Sequence, residues 1–125
     1  MAGQQKKILV IEDNHQNREV VSRMLDHGGY QAICAHDARS GMDMAQKHHP
    51  DLILMDIQLP DMDGLEATAL IRRDSEMTTV KIMALTAYAM QGDRERMIAG
   101  GCDDYLAKPI RYQELLSKVE DLIGK

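Results

Sequence analysis

The sequence predicts an α/β fold, an open doubly wound parallel sheet built from five βα units. Three observations predict it. Five short aliphatic or β-branched runs recur along the 125 residues, and amphipathic stretches with helical spacing fall between them without a long linker. Ile8–Ile11, Leu52–Met55 and, after its opening lysine, Lys81–Leu85 are continuously apolar, as strands covered on both faces must be. The length suits one domain over residues 1–125, able to bury roughly two-thirds of its unfolded surface without a disulfide or structural metal.

Each element has a local reason. The first strand, Ile8–Ile11, runs into Glu12-Asp13-Asn14, where Asp13 or Asn14 is placed to cap a helix. That helix carries Val20, Val21, Met24 and Leu25 and stops at Gly28-Gly29. A second strand, Gln31–Ala35, precedes Asp37, the N-cap of a helix with Ala38, Met42 and Ala45 on one side; His48-His49-Pro50 ends it. The third strand, Leu52–Met55, delivers Asp56. Pro60, the Asp61-Met62-Asp63 pair and Gly64 then read as a turn, not a second metal site, leading to a helix with Leu65, Ala69, Leu70 and Ile71 on its apolar side. The fourth strand, Lys81–Leu85, precedes Thr86, and the helix through Arg94, Met97 and Ile98 stops at Gly100-Gly101. The fifth strand, Tyr105–Ala107, precedes Lys108-Pro109. The final helix is the clearest: Tyr112, Leu115, Leu116, Val119, Leu122 and Ile123 recur at helical spacing.

Composition narrows the function. At 44% hydrophobic and 28% charged residues the chain is neither disordered nor fibrous. Fifteen Lys and Arg against 20 Asp and Glu give a formal charge of -5, which argues against a nucleic-acid or anionic-membrane binder. No apolar run approaches the roughly 20 residues that span a bilayer, and Lys6-Lys7 leads only into a short strand, so a cytoplasmic location is expected. Cys34 and Cys102 form no CxxC motif and read as reduced thiols, Cys102 partly exposed. Ten Met, four Tyr and no Phe or Trp predict a core filled by thioethers. The five histidines show no metal-ligand spacing, and no glycine-rich phosphate cradle follows the first strand.

In open parallel sheets, ligands sit beyond the carboxyl ends of the strands. Those ends here deliver Glu12-Asp13, Asp56, Thr86 and Lys108. With strands one and three adjacent, as in the order 2-1-3-4-5, Glu12, Asp13 and Asp56 converge. Two carboxylates 4 Å apart repel by about 4 kcal/mol at an effective dielectric near 20, so the group demands a counter-charge. All-oxygen ligands with open positions favour Mg2+, which commonly shares a carboxylate site with a phosphate. Lys108 adds a mobile positive charge and Thr86 a hydroxyl donor. Together they suit phosphoryl transfer, with Asp56 as the nucleophile.

Ile8–Asn14, Asp51–Gly64, Ala84–Ala87 and Tyr105–Pro109 occur in the order and spacing of a known family. Over its whole length the chain resembles a response-regulator receiver domain of two-component signalling, with a flavodoxin-like (βα)5 fold. It is similar both to single-domain regulators of chemotaxis and cell-cycle type and to the receivers of hybrid histidine kinases. The resemblance implies that Asp56 accepts a phosphoryl group from a phosphohistidine of a histidine kinase or histidine phosphotransfer protein. It implies that Asp13, Asp56 and the Gln58 carbonyl ligate Mg2+, with Glu12 acting through water. Thr86 and Lys108 would bind phosphoryl oxygens, assisted by the amides of Ile57 and Ala87. Pro109 would follow a cis bond that aims Lys108 inward, and Tyr105 would turn inward with Thr86 as the switch.

The expected product is a signalling switch, not an enzyme beyond its own phosphorylation and dephosphorylation. The surface of the fourth helix, fifth strand and fifth helix, with Arg94, Arg111 and Tyr112, would meet a downstream protein, and the chain is expected as a monomer or weak dimer. Gln58 and the bulky Tyr88 flank the path of an attacking water, which predicts slow loss of the phosphoryl group. The Met1-Ala2-Gly3-Gln4 start leans toward a natural single-domain protein over a receiver excised from a hybrid kinase. Two other classes fit less well. A flavin-mononucleotide carrier would set a phosphate against Glu12-Asp13, and an aspartyl phosphatase typically has a second Asp where Gln58 stands.

Overall fold

Alternation along the central strands builds the molecule. The computed structural model describes residues 5–87 and 92–125. Strands β1 (Lys7–Ile11), β2 (Gln31–Ala35), β3 (Leu52–Asp56), β4 (Lys81–Thr86) and β5 (Asp104–Ala107) form one parallel sheet in the order β2-β1-β3-β4-β5. Helices α1 (His15–His27), α2 (Ala38–His48), α3 (Gly64–Arg73), α4 (Asp93–Ala99) and α5 (Tyr112–Ile123) connect and follow them. Leu9, Ile11, Ile53, Met55, Ile82 and Ala84 point into a core shared with residues of α2, α3 and α4. Their neighbours Ile8, Val10, Leu52, Leu54, Met83 and Leu85 point into a second core shared with α1 and α5. Both faces are covered, which is why these strands read as unbroken apolar runs.

The helix boundaries follow from capping. Asn14, rather than Asp13, caps α1 by accepting the Asn17 amide, and Asp37 caps α2 through Ser40. The paired glycines end α1 and α4 as expected, the second of each pair (Gly29 and Gly101) taking a positive φ that a side chain disfavours. Asp63 caps α3. Asp61 has a role its position in a turn did not suggest: its carboxylate accepts the amides of Ala38 and Arg39, 2.9 and 3.0 Å away. The loop after β3 is thereby tied to the start of α2.

Three expectations need correction. On α3 the residues that go inward are Ala67, Thr68 and Ile71, while Leu70 is exposed and Leu65 and Ala69 are only half-buried. Gly64 lets the helix start against the backbone of β3, and that contact, absent from any hydrophobicity pattern, sets the buried side. Val20, Ile98 and Tyr112 also lie exposed although they belong to the predicted stripes. Cys102 is buried, not partly exposed, and burial pushes its thiol up; Cys34 is the exposed thiol. As the expected order implies, β2 is an edge strand with only Ala35 fully buried. The thioether core is present: Met55, Met77 and Met97 are buried in one core with Met42, Met44 and Met62 packed against it, and Met83 is buried in the other with Met24 against it.

Gly64 donates its amide to the Ile57 carbonyl at 2.8 Å, and a Cβ there would stand 2.3 Å from the Asp56 carbonyl oxygen and 2.8 Å from the Ile57 Cα. Backbone atoms cannot step aside as a side-chain tip can. Gly64→Ala is therefore expected to destabilise the fold by about 2 kcal/mol, read as a lower urea midpoint at unchanged slope.

Candidate functional site

Register assembles the site. Ile11 lies opposite Met55, so the next residues, Glu12 and Asp56, emerge side by side from β1 and β3. The ladder continues past the strand ends: Glu12 donates its amide to the Ala35 carbonyl at 3.1 Å, and Lys108 donates its amide to the Thr86 carbonyl at 2.7 Å. Counting in twos along each strand, Glu12, Asp56 and Lys108 follow Val10, Leu54 and Leu106 onto the α1/α5 face. Thr86 follows Ala84 onto the opposite face, where Tyr105 also packs.

Glu12 and Asp56 are 1% and 3% exposed, while Asp13 is open to solvent. Oxygens of the three carboxyl groups lie within 4.8 Å of one another. Lys108 Nζ sits between two of them, 2.6 Å from Glu12 Oε1 and 3.2 Å from Asp56 Oδ2. Each of these two carboxyls has further donors. The Gln58 amide reaches Asp56 Oδ1 at 3.0 Å, the Asn14 amide reaches Glu12 Oε2, and the Asn17 side-chain amide reaches Glu12 Oε1, both at 3.3 Å. A cleft of about 430 Å³ opens beside Glu12 and Lys108, walled by Val20 and Val21 of α1 and by Ile110.

One lysine does not neutralise three carboxyl groups, and the electrostatics register the shortfall. Burial, then the hydrogen bond and charge of Glu12, push Asp56 up to about 7. Burial also opposes ionisation of Glu12, yet its hydrogen bond to Asp56 and the nearby Lys108 pull it down to about 2. Desolvation works against the Lys108 ammonium, but Glu12 and Asp56 outweigh it and raise its pKa. The two acids titrate as one unit, Asp56 pushed up and Glu12 pulled down by their shared hydrogen bond. Three carboxylates with an all-oxygen character and an excess of negative charge match what a hard divalent cation requires.

The other sequence-derived candidates fall as follows. Gln58 is exposed and bridges Asp63 across the loop, and its own amide is the one facing Asp56. The Ile57 amide is not available for that purpose, because it donates to the Leu85 carbonyl at 3.0 Å as part of the sheet. Thr86 is buried at the end of β4. Lys108–Pro109 is a cis bond. Tyr105 is half-buried, with Lys118 Nζ 4.9 Å above its ring and 2.6 Å from its carbonyl oxygen. Tyr88 lies outside the described residues. Sequence reading missed Asn17, because it sought chemistry at strand ends; the signal was a polar residue one turn beyond a helix cap.

The pKa directions fix a pH response. Asp56 holds its proton in the folded chain up to about pH 7 but loses it near 3.8 when unfolded, so its contribution to stability is lost as pH rises across that window. Glu12 acts oppositely, adding stability only as pH rises from about 2 to 4.5. Urea unfolding in EDTA should therefore show stability falling between about pH 4.5 and 7 by a few kcal/mol at most. Asp56→Asn should remove that slope.

Comparison with known proteins places this geometry. The model of the response regulator receiver domain family matches residues 8–120. The polar-differentiation response regulator DivK of Brucella ovis is 39% identical over 119 residues, covering 95% of this chain and 97% of that protein. Among solved structures, the receiver domain of a Pseudomonas aeruginosa sensor histidine kinase, determined with a magnesium ion coordinated in its active site cleft, is 40% identical. It has a TM-score of 0.89 and covers 98% of this chain and 100% of its own. The Vibrio cholerae chemotaxis protein CheY4 is 28% identical with a TM-score of 0.90, covering 95% and 99%. With its sheet order and the acidic rim that order creates, the chain belongs to the response regulator receiver domain family.

Proposed function

We propose that residues 1–125 form one receiver unit that is switched by phosphorylation of Asp56. The observation that carries this reading is the buried Glu12–Lys108–Asp56 cluster, in which an acid and an ammonium meet at the mouth of a cleft. Asp13, Asp56 and the Gln58 carbonyl are the groups to hold Mg2+, with Glu12 acting through water; the magnesium-bound Pseudomonas relative supports the choice of ion. When bound, the ion supplies positive charge that offsets the acids and the incoming phosphoryl oxygens.

The chain's own groups then divide the work. A carboxylate oxygen of Asp56 attacks phosphorus, and the phosphorus–nitrogen bond of a phosphohistidine breaks, its electron pair staying on the departing imidazole. Lys108 is already within reach of Asp56 Oδ2 and shifts its ammonium to a phosphoryl oxygen. The Gln58 amide holds Asp56 Oδ1, which orients the other oxygen for attack. Thr86 donates its hydroxyl to the phosphoryl group, and Tyr105 follows it inward, changing the face made by α4, β5 and α5. Ligand preference for one arrangement is all such a switch requires. The donor is a histidine kinase or histidine phosphotransfer protein, and the reader is a downstream protein. A receiver carried by a sensor kinase uses the same chemistry, and the Pseudomonas relative favours that setting as the Brucella relative favours a free-standing regulator.

Incubation with acetyl phosphate and Mg2+ should add one phosphoryl group of about 80 Da by intact mass. EDTA and Asp56→Asn should each abolish the adduct, and Lys108→Ala should slow its formation by about 100-fold. An adduct that persists after Asp56→Asn refutes the assignment.

A further inference from the structure

We propose that Arg18 is a positioning residue for the acidic arm of the site, setting the direction of Asp13 and Glu12 toward a divalent cation. This inference rests on the Mg2+ reading above and extends it to a residue that touches neither the ion nor the phosphoryl group.

Arg18 belongs to the first turn of α1, and its backbone amide makes a helical bond to the Asn14 carbonyl at 3.0 Å. Its position is therefore fixed by the helix. From there a single guanidinium nitrogen, Nη1, reaches back along the chain and donates to two successive carbonyls, Glu12 at 2.8 Å and Asp13 at 2.9 Å. Nη2 approaches His15 Nδ1 at 3.4 Å. Holding both carbonyls fixes the two peptide planes that follow the acids.

That matters because the two acids are held differently. The carboxyl of Glu12 is gripped directly by Lys108, Asn17 and the Asn14 amide. Asp13 is exposed, and the backbone that carries it decides where its carboxylate points. Arg18 is the side chain that braces that backbone. Its guanidinium spans two oxygens from one nitrogen, which a lysine ammonium on a flexible stem does not hold in the same geometry.

Charge and positioning make opposite predictions. By charge alone, removing a cation beside three carboxyl groups would tighten Mg2+ binding. By positioning, removal weakens it, as loss of groups that orient metal ligands commonly weakens affinity about 10-fold or more.

The test uses the full chain and isothermal titration with Mg2+ alone, then the initial rate of phosphorylation by acetyl phosphate across Mg2+ concentrations. Arg18→Ala is expected to weaken Mg2+ binding about 10-fold. Its phosphorylation rate at saturating Mg2+ should stay within about two-fold of the parent, because Asp56, Lys108 and Thr86 are untouched. Arg18→Lys should fall between the two. Arg23→Ala, further along α1 and paired with the exposed Glu19, should leave both readings unchanged. Unchanged or tighter Mg2+ binding in Arg18→Ala overturns the proposal. So does a parallel loss of saturated rate and thermal stability, which would make Arg18 a general brace of the fold. Failure of the parent to be phosphorylated while still binding Mg2+ would sink the phosphorylation reading alone, since the titration still reports on Arg18.

Discussion

A single lysine shared by two buried acids is the constraint on which the site depends. Parallel register brings Glu12 and Asp56 out of neighbouring strands at the same height, and both are buried there. Lys108 starts from β5, at the sheet edge, and its Nζ reaches over β4 to both carboxyls. Only a long cationic side chain spans that distance. Its backbone is pinned by the Thr86 carbonyl, so the ammonium is delivered by the sheet rather than by a mobile loop. The cluster still carries excess negative charge, and the upward push on Asp56 is the sign of it. A site left short of positive charge in this way suits a cation, and on the proposed reading Asp56 is the group it would ready for phosphorylation.

Strand alternation explains how the same rim separates two tasks. Glu12, Asp56 and Lys108 share the phase of the α1/α5 core, whereas Thr86 and Tyr105 share the phase of the core beneath α4. On the proposed reading, the acceptor opens beside α1 and its consequences appear on the other side of the sheet. Thr86 terminates β4 between the two, its backbone held in the ladder by the Lys108 amide.

Much of this was legible because parallel sheets leave a strong imprint. Central strands buried on both faces must be apolar throughout, and their ends must then display whatever polar residue comes next; Asp56 after Leu52–Met55 is the plainest instance. Capping was legible for the same reason, as at Asp37, where an unpaired helix amide needs a nearby oxygen. Contacts between elements were not. The buried side of α3 is set by how closely Gly64 approaches the backbone of β3, and no side-chain periodicity encodes that. Asp61 bonds the amides of Ala38 and Arg39, far earlier in the chain, so a local reading could only class it as turn chemistry. The Ile57 amide likewise looked available until pairing with Leu85 accounted for it.

The residues that were missed share one physical character. Asp61, Asn17 and Arg18 all use side chains to satisfy groups in the loops at the sheet's carboxyl edge, and none stands at a strand end. Loops there are short, so few backbone partners exist for their amides and carbonyls, and an unpaired one near the buried acids would be costly. Side chains from the first turn of α1 and from the loop after β3 fill that deficit. They hold in place the two loops from which Asp13 and Gln58 project. The acids supply the charge, and this outer layer of donors and acceptors ties down the loops that carry them.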